Sequence, residues 1–166
     1  MSTIRVSNIN SVTGISAFSI NSYGYTNIPN LPSIHIDGNN PNTIDFGSNV
    51  EMLTTTYSQQ IYSNGGMSWN GANGRITVPI AGTYCIMGGC YQQLNGNING
   101  RFQVNKNGGL VYIVQTGYTT ADGQLWHCGT AQLAANDYIT CNTGTFDTIR
   151  LYMGRYHWSF HLFLIG

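Results

Sequence analysis

Short runs in which apolar and polar residues alternate, separated by turn residues, dominate the second half of the chain. This period of two predicts strands at residues 76–80, 83–87, 101–104, 110–115, 124–128, 131–133, 138–141, 148–153 and 156–165. The Asn- and Gly-rich stretches at residues 64–66 and 70–74 predict hairpin or loop tips. Since no stretch combines a 3.6-residue period with caps, helix should be scarce, and an all-β sandwich or jelly roll is expected.

The first half of the chain has weaker strand signals. Residues 3–9 alternate in a way that suits one short arm or edge strand, and residues 17–20 form a second short apolar run. Residues 21–42 are rich in Asn, Gly, Ser and Pro, so this region is expected to be mostly loop. Two further apolar runs, at residues 43–46 and 50–53, precede a long polar and aromatic passage.

The last predicted strand has two different faces. Alternation places Trp158, Phe160, Leu162 and Leu164 on one face, and His157, Ser159, His161, Phe163 and Ile165 on the other. A strand that is apolar on one face and mixed on the other is typical of a core strand that also meets a neighbour. The mixed face is therefore interpreted as a subunit contact.

The composition narrows the possible partners. Only 7% of the residues are charged and the formal net charge is zero, so neither nucleic acid nor an anionic membrane is favoured as a partner. The 11 Tyr, 6 Phe and 3 Trp argue against disorder. Because a neutral surface gives weak colloidal repulsion, a free monomer would be prone to association, and an ordered assembly is expected.

The N-terminal residues lack the basic and apolar regions of a secretory signal, and the chain has no apolar run of about 18 residues. Synthesis in the cytosol is therefore expected. The four cysteines, Cys85, Cys90, Cys128 and Cys141, lack the spacing of a metal site. We expect buried free thiols, with a disulfide or a sparse metal site as the open alternatives.

One segment carries a specific resemblance. Residues 74–84, Gly-Arg-Ile-Thr-Val-Pro-Ile-Ala-Gly-Thr-Tyr, are similar to the most recognisable stretch of the globular heads of complement-like proteins. Pro79 has no backbone N–H to donate to the hydrogen bonds of a sheet, so it would end a strand. Gly82 would allow a tight turn, and Tyr84 would begin a buried strand. Three further matches follow in the family's order, at residues 100–108, 132–139 and 159–164. The first of them is similar to a strand of the family that ends in a Lys-Asn-Gly turn, here at residues 106–108. Asn136 and His161 stand where the family usually has Gly.

The resemblance covers roughly residues 17–166 and implies a homotrimeric jelly-roll head of the complement and tumour-necrosis-factor type. It implies a trimer interface on the closing strand, for which the candidate residues are His157, Ser159, Phe160, His161 and Phe163. No collagen-like repeat precedes the head, so the arrangement of animal defence collagens is not expected.

The N-terminal residues 2–14 resemble the start of many bacteriophage virion proteins, especially those of phages that infect cyanobacteria. Residues 1–16 are accordingly interpreted as an arm or edge strand, and residues 17–166 as the head. The arm would attach the protein to a particle through Ile4, Arg5, Val6 and Ile9.

No catalytic constellation is evident, so no enzyme, cofactor or resident metal is predicted. The sequence lacks a Gly-x-Ser-x-Gly elbow, a phosphate loop and a His-Glu-x-x-His motif. His127 and Cys128 are adjacent and should point to opposite faces of a strand. A ring of His157 and His161 around a threefold axis could bind an ion, although packed interface histidines are the simpler interpretation. Residues 37–42 contain a single carboxylate and are interpreted as a turn rather than a calcium loop.

Aromatic side chains offer a possible ligand surface. Tyr57, Tyr62, Trp69, Tyr91, Tyr112, Tyr118 and Trp126 could contact a sugar, although core or subunit packing would equally explain most of them. The candidate ligand loop within this set consists of Tyr57, Tyr62, Trp69 and Tyr118.

Two functions remain as hypotheses. The first is a capsid decoration or cement protein at the virion surface, a trimer that contacts the major capsid protein through its arm. This is favoured because the chain is almost entirely head, with no shaft. The second is a tail-fibre or receptor-binding tip that recognises a glycan on the host surface and contacts a tail protein. A secreted lectin or cytokine-like ligand is disfavoured by the missing signal.

Overall fold

The computed structural model describes residues 8–10, 16–20, 26–27, 30–93, 101–115, 123–144 and 149–166. The chain divides into two compact units, Met1–Leu31 and Pro32–Gly166. In the first unit, β1 (Asn8–Asn10), β2 (Ser16–Ile20) and β3 (Thr26–Asn27) form an antiparallel sheet in the order β1-β2-β3. Throughout the described residues the regular structure is strand, and there is no helix that could cross a membrane.

The second unit contains two sheets. Its strands are β4 (Ser33–Gly38), β5 (Thr43–Phe46), β6 (Ser58–Asn64), β7 (Ser68–Asn70), β8 (Arg75–Thr77), β9 (Gly82–Gln92), β10 (Arg101–Lys106), β11 (Gly109–Gln115), β12 (Gly123–Leu133), β13 (Tyr138–Thr143), β14 (Ile149–Tyr152) and β15 (Trp158–Leu164). The five-stranded sheet has the order β11-β10-β13-β8-β7. The seven-stranded sheet has the order β5-β14-β9-β15-β4-β6, and β12 pairs with β9.

Strand β9 pairs with three other strands of the larger sheet. It pairs with β12 over its whole length, and its remaining pairs are with β15 at residues 84–90 and with β14 at residues 91–92. These partners are far apart in the sequence, and all the pairings are antiparallel. This pattern, with two curled sheets, fits a jelly-roll β-sandwich.

The core lies between the two sheets. Phe102 of the five-stranded sheet contacts Trp158 and His127 of the seven-stranded sheet, with ring centroids 6.2 and 5.3 Å apart. The largest fully buried side chains are Trp158, Tyr84, Phe46, Phe102 and Phe160. The buried indole of Trp158 donates a hydrogen bond to the Ser58 hydroxyl at 2.9 Å, so its polar atom is satisfied.

The predicted turns are confirmed by backbone conformation. Gly65 and Gly66 have positive φ angles of 59° and 83°, and the β10–β11 hairpin turns through Asn107 and Gly108 at 51° and 82°. Such angles suit Gly and, next best, Asn. Asn136 also has a positive φ, 70°, which explains how it can replace a family Gly.

The segment at residues 74–84 has the predicted strand order, but the role of Gly82 differs from the prediction. Tyr84 is fully buried, and its hydroxyl donates to the Ile80 carbonyl at 3.0 Å. A Cβ at Gly82 would lie 2.5 Å from Leu164 Cδ1 and 2.8 Å from the Gly166 carbonyl oxygen. Gly82 is therefore required by close packing against the end of the chain rather than by a turn.

The strand prediction misses two strands of the larger sheet. The region expected to be mostly loop contains β4, a strand inside the larger sheet, because two buried residues, Ile34 and Ile36, suffice for a short strand between two paired neighbours. The polar passage before residue 64 contains β6, whose side chains are mostly exposed at the edge of the sheet. In addition, the two strands predicted at residues 124–128 and 131–133 are one continuous strand, β12.

Candidate functional site

The seven-stranded sheet has one face on the core and one face directed away from it. Along β15, Trp158, Phe160 and Leu162 are fully buried, whereas Ser159 and His161 between them are only partly buried. The predicted alternation of this strand is therefore confirmed. The opposite surface, called here the outer face, also receives side chains from β6, β4, β9 and β12.

Strand register aligns five outer-face residues in one row. Tyr62 of β6 is opposite His35 of β4, and His35 is opposite His161 of β15. His161 is opposite Met87 of β9, and Met87 is opposite Cys128 of β12. Side chains that are directly opposite on one face lie close together, so this row forms a continuous strip across the sheet.

The centre of the row is aromatic and histidine-rich. The rings of His35 and His161 stack at 4.0 Å with an interplanar angle of 18°, and Tyr62 meets His35 edge-on at 5.7 Å. His35 Nε2 lies 2.5 Å from Asp37 Oδ1, which orients the imidazole. Burial lowers the pKa of His161, and His35 lowers it further, while Asp37 acts in the opposite direction.

Large apolar side chains on the outer face remain accessible to solvent. Tyr62 is 47% exposed, Met87 38% and Trp126 65%. The Trp126 indole lies over Gly89, where an added Cβ would come within 2.4 Å of the ring, and its Nε1 donates to Gln124 Oε1 at 2.8 Å. The exposed indole is therefore held in one orientation by its neighbours, as suits a contact surface.

The candidate interface residues lie in three different places: on the outer face, in the core and before β15. Ser159, His161 and Phe163 lie on β15 at alternating positions and belong to the outer face. Phe160 is fully buried in the core, so its side chain does not reach that face, and its inclusion among the interface residues is corrected. His157 precedes β15, and its ring contacts Tyr152 and Tyr91 at 4.4 and 5.9 Å.

The candidate ligand residues do not form one site. Tyr57 packs edge-on against Phe46 at 4.7 Å, and the Trp69 indole donates to the Leu53 carbonyl at 2.7 Å. Tyr62 lies on the outer face, and Tyr118 lies outside the described residues. Of the arm residues, Ile4, Arg5 and Val6 also lie outside the described residues, whereas Ile9 lies in β1 opposite Phe18 of β2.

A groove that the sequence did not reveal lies where β4 ends and the loop before β15 begins. It has a volume of about 340 Å³ and is lined by Asn39, Gln59, Tyr152, Arg155, Tyr156 and His157, together with Gly38, Pro41 and Gly154. Its parts come from residues 38–59 and 152–157, so no local pattern could have predicted it. We call it the loop groove.

The cysteines fall into two pairs. Cys90 and Cys141 are buried as expected, and burial raises the pKa of both thiols. Cys85 and Cys128 are on the outer face with their sulfur atoms 3.9 Å apart, and Cys128 is exposed, contrary to the expectation. Within the described part of the chain, no group of three or more His, Cys, Asp and Glu side chains could hold a metal ion.

His127 and Cys128 point to opposite faces of β12, as predicted, since His127 is buried and Cys128 is exposed. A partly buried carboxyl that the sequence did not single out is Glu51, which accepts hydrogen bonds from the backbone amides of Leu53 and Cys141 at 3.0 and 3.1 Å. Burial raises its pKa to about 7, against the opposing effect of these amides.

Comparisons with solved structures identify the fold, whereas comparisons of sequence find no match. No protein-family model and no curated protein sequence matches the chain. Among solved structures, it is similar to Eiger TNF from S. frugiperda, with a TM-score of 0.67 and 10% identity, over 82% of this chain and 93% of that one. It is also similar to murine APRIL at pH 5.0, with a TM-score of 0.61 and 13% identity, over 81% and 99% of the two chains.

A third similar structure is the globular domain of zebrafish complement 1qA protein, with a TM-score of 0.60 and 12% identity, over 81% of this chain and 98% of that one. At such low identities the similarity concerns the fold alone. The chain therefore has the jelly-roll β-sandwich fold shared by tumour-necrosis-factor-like domains and complement globular heads. The predicted jelly-roll fold of the single chain is thereby confirmed.

Proposed function

We propose that the chain is a non-enzymatic structural protein of a bacteriophage particle, which assembles as a homotrimer and decorates the capsid surface as a cement protein. The proposal of a homotrimer is supported by the outer face. Its central row of Tyr62, His35, His161, Met87 and Cys128 combines aromatic and apolar groups that are half-buried or exposed in a single chain.

The charge distribution favours a second copy of this chain as the occupant of the outer face. Asp37, the carboxylate beside the row, is itself buried and lies between His35 Nε2 and Arg155 Nε, the latter at 3.6 Å from Asp37 Oδ2. A copy of the same neutral chain would cover the row without leaving an uncompensated charge. The family resemblance implies that the closed assembly is a trimer.

The first experiment measures the assembly. Light scattering of the purified chain should give three times the monomer mass of 18.2 kDa. Met87→Glu should reduce the mass to that of a monomer, because it places a charge in the apolar row. Leu110→Glu is the matched control, since Leu110 is 55% exposed on an edge strand of the five-stranded sheet. A wild-type monomer at micromolar concentration contradicts the trimer.

The N-terminal unit supports attachment to a particle. It is a small sheet of its own in which β1 and β3 are the outer strands, and an outer strand can pair with a strand of another protein. This is consistent with the resemblance of the first residues to phage virion proteins. The chain would be made in the host cytoplasm and used on the virion surface.

The second experiment distinguishes cement from a tail-fibre tip. A ligand that binds only the assembled shell stabilises it by mass action, so particles stripped of this protein should release their genome at lower temperature than decorated ones. Adding back the purified protein should restore the threshold. Particles that lack it but keep full physical stability, and no longer adsorb to cells, would show a receptor-binding role instead.

A further inference from the structure

We propose that the loop groove binds an acidic saccharide. This inference rests on the groove itself and does not depend on the decoration role. The groove volume of about 340 Å³ falls within the range of small-molecule sites, roughly 300–1,000 Å³, and suits a small ligand such as one or two sugar units.

Aromatic rings form the walls of the groove. The Tyr152 and His157 rings lie 4.4 Å apart, and Tyr156 is 90% exposed at the rim. Gly154 lies close to both rings, since a Cβ there would be 3.3 Å from Tyr152 Cε1 and 3.4 Å from His157 Nδ1. Flat rings beside polar groups suit a sugar, whose ring has apolar C–H faces and a polar rim.

Two side-chain amides, those of Asn39 and Gln59, line the groove. Asn39 Nδ2 donates to the carbonyl oxygens of Thr55 and Ser58 at 2.7 and 3.1 Å, and Gln59 Nε2 donates to that of Gly38 at 3.1 Å. Asn39 thus uses both N–H groups of its amide and Gln59 one of its two, and each amide also has an oxygen that can accept a hydrogen bond. Ligand hydroxyl groups are the matching donors.

The exposed guanidinium of Arg155 favours an acidic ligand. Its described lining contains Arg155 and His157 and no carboxylate. Arg155 is 57% exposed, and its contact with the buried Asp37 carboxylate uses Nε, which leaves the two terminal guanidinium nitrogens to a ligand. A guanidinium binds a carboxylate through paired hydrogen bonds, so a sugar acid is preferred to a neutral sugar.

The test uses the purified full-length chain and matched sugar pairs. Titration calorimetry compares digalacturonic acid with galactobiose, and sialyllactose with lactose, while inorganic phosphate serves as an anion that is not a sugar. We expect at least one acidic sugar to bind about tenfold or more tightly than its neutral counterpart. Arg155→Gln should abolish this preference, and Arg75→Gln, a matched change of an arginine that packs over Tyr138 in the other sheet, should preserve it.

Three results with the sugars would each overturn the proposal: no sugar of either pair binds, both members of each pair bind equally, or Arg155→Gln binds the acidic sugar as the wild type does. Phosphate that displaces the acidic sugar completely at equal concentration would also overturn it, since the groove would then be a simple anion site. None of these outcomes bears on particle stability, so failure here and failure of the decoration role are separate results.

Discussion

At the scale of single residues, the buried His127 and the partly buried Glu51 should each make stability depend on pH. The His127 ring packs against Phe102 and Phe160 at 5.3 and 5.7 Å, and burial lowers its pKa to about 4 from 6.5. Burial raises the pKa of Glu51 to about 7 from 4.5. The two shifts act in opposite directions because burial disfavours the charged form of either group.

For His127, the unfolded chain binds the proton more readily than the folded chain. The stability that it contributes is present above pH 6.5 and is lost as the pH falls through about 4. The loss amounts to roughly 3 kcal/mol of unfolding free energy. His127→Leu should remove this acid loss, as measured by urea unfolding at pH 7 and pH 4. If wild type and variant lose stability in parallel, His127 is not the cause.

For Glu51, the folded chain holds the proton more tightly. Its contribution to stability is present below pH 4.5 and is lost as the pH rises through about 7. Glu51→Gln keeps an acceptor for the amides of Leu53 and Cys141 but carries no charge. The variant should therefore be more stable than the wild type at pH 8, by up to roughly 3 kcal/mol, and equal to it near pH 4. An unchanged or lower stability at pH 8 contradicts this assignment.

At the scale of elements, β15 has two faces with separate roles. Phe160 faces the core and is fully buried, whereas Phe163 is on the outer face and only partly buried. The same substitution should therefore have different effects at the two positions. A charge at a fully buried site costs several kcal/mol unless it is paired, and this is a large part of the stability of a domain.

Phe160→Asp should give insoluble or unfolded protein. Phe163→Asp should keep the far-ultraviolet circular dichroism spectrum of the wild type but give the mass of a monomer in light scattering. If Phe163→Asp still has the trimer mass, then this end of β15 lies outside the interface. If Phe160→Asp folds normally, the assignment of the core face is wrong.

At the scale of the whole molecule, the first unit should be separable from the second. The structural division falls after Leu31, and β2 begins at Ser16, so a cut after residue 16 would divide the three-stranded sheet. The predicted boundary between arm and head at residue 16 stays a prediction. Removal of residues 1–31 is the sharper test, because it follows the structural division and retains every residue of the described core.

The chain of residues 32–166 should fold, keep its assembly state and fail to bind stripped particles. Its melting temperature should stay within a few degrees of that of the full chain, since every residue of the described core lies within residues 32–166. The measurements are a thermal melt and a sedimentation assay with particles. Insoluble protein would show that the first unit completes the fold, and undiminished particle binding would show that attachment lies elsewhere.

The sequence by itself determined the fold class and most of its strands. Alternation marks β9, β10, β12, β13 and β15 because one face of each is buried, and a buried face requires apolar residues at every second position. The turn at Asn107 and Gly108 was equally predictable, since its positive φ angles restrict the residues that fit. These signals are local, so they can be read from neighbouring residues.

Only the tertiary structure decided which side chains meet. His35 lies in a region that was interpreted as mostly loop, yet its ring stacks on that of His161, which is 126 residues further along the chain. The row from Tyr62 to Cys128 depends on the register of five strands, and the loop groove depends on two segments about a hundred residues apart. The alternation of apolar and polar residues predicts the face of the sheet on which a side chain lies. The register between distant strands, however, follows from the packing of the entire core.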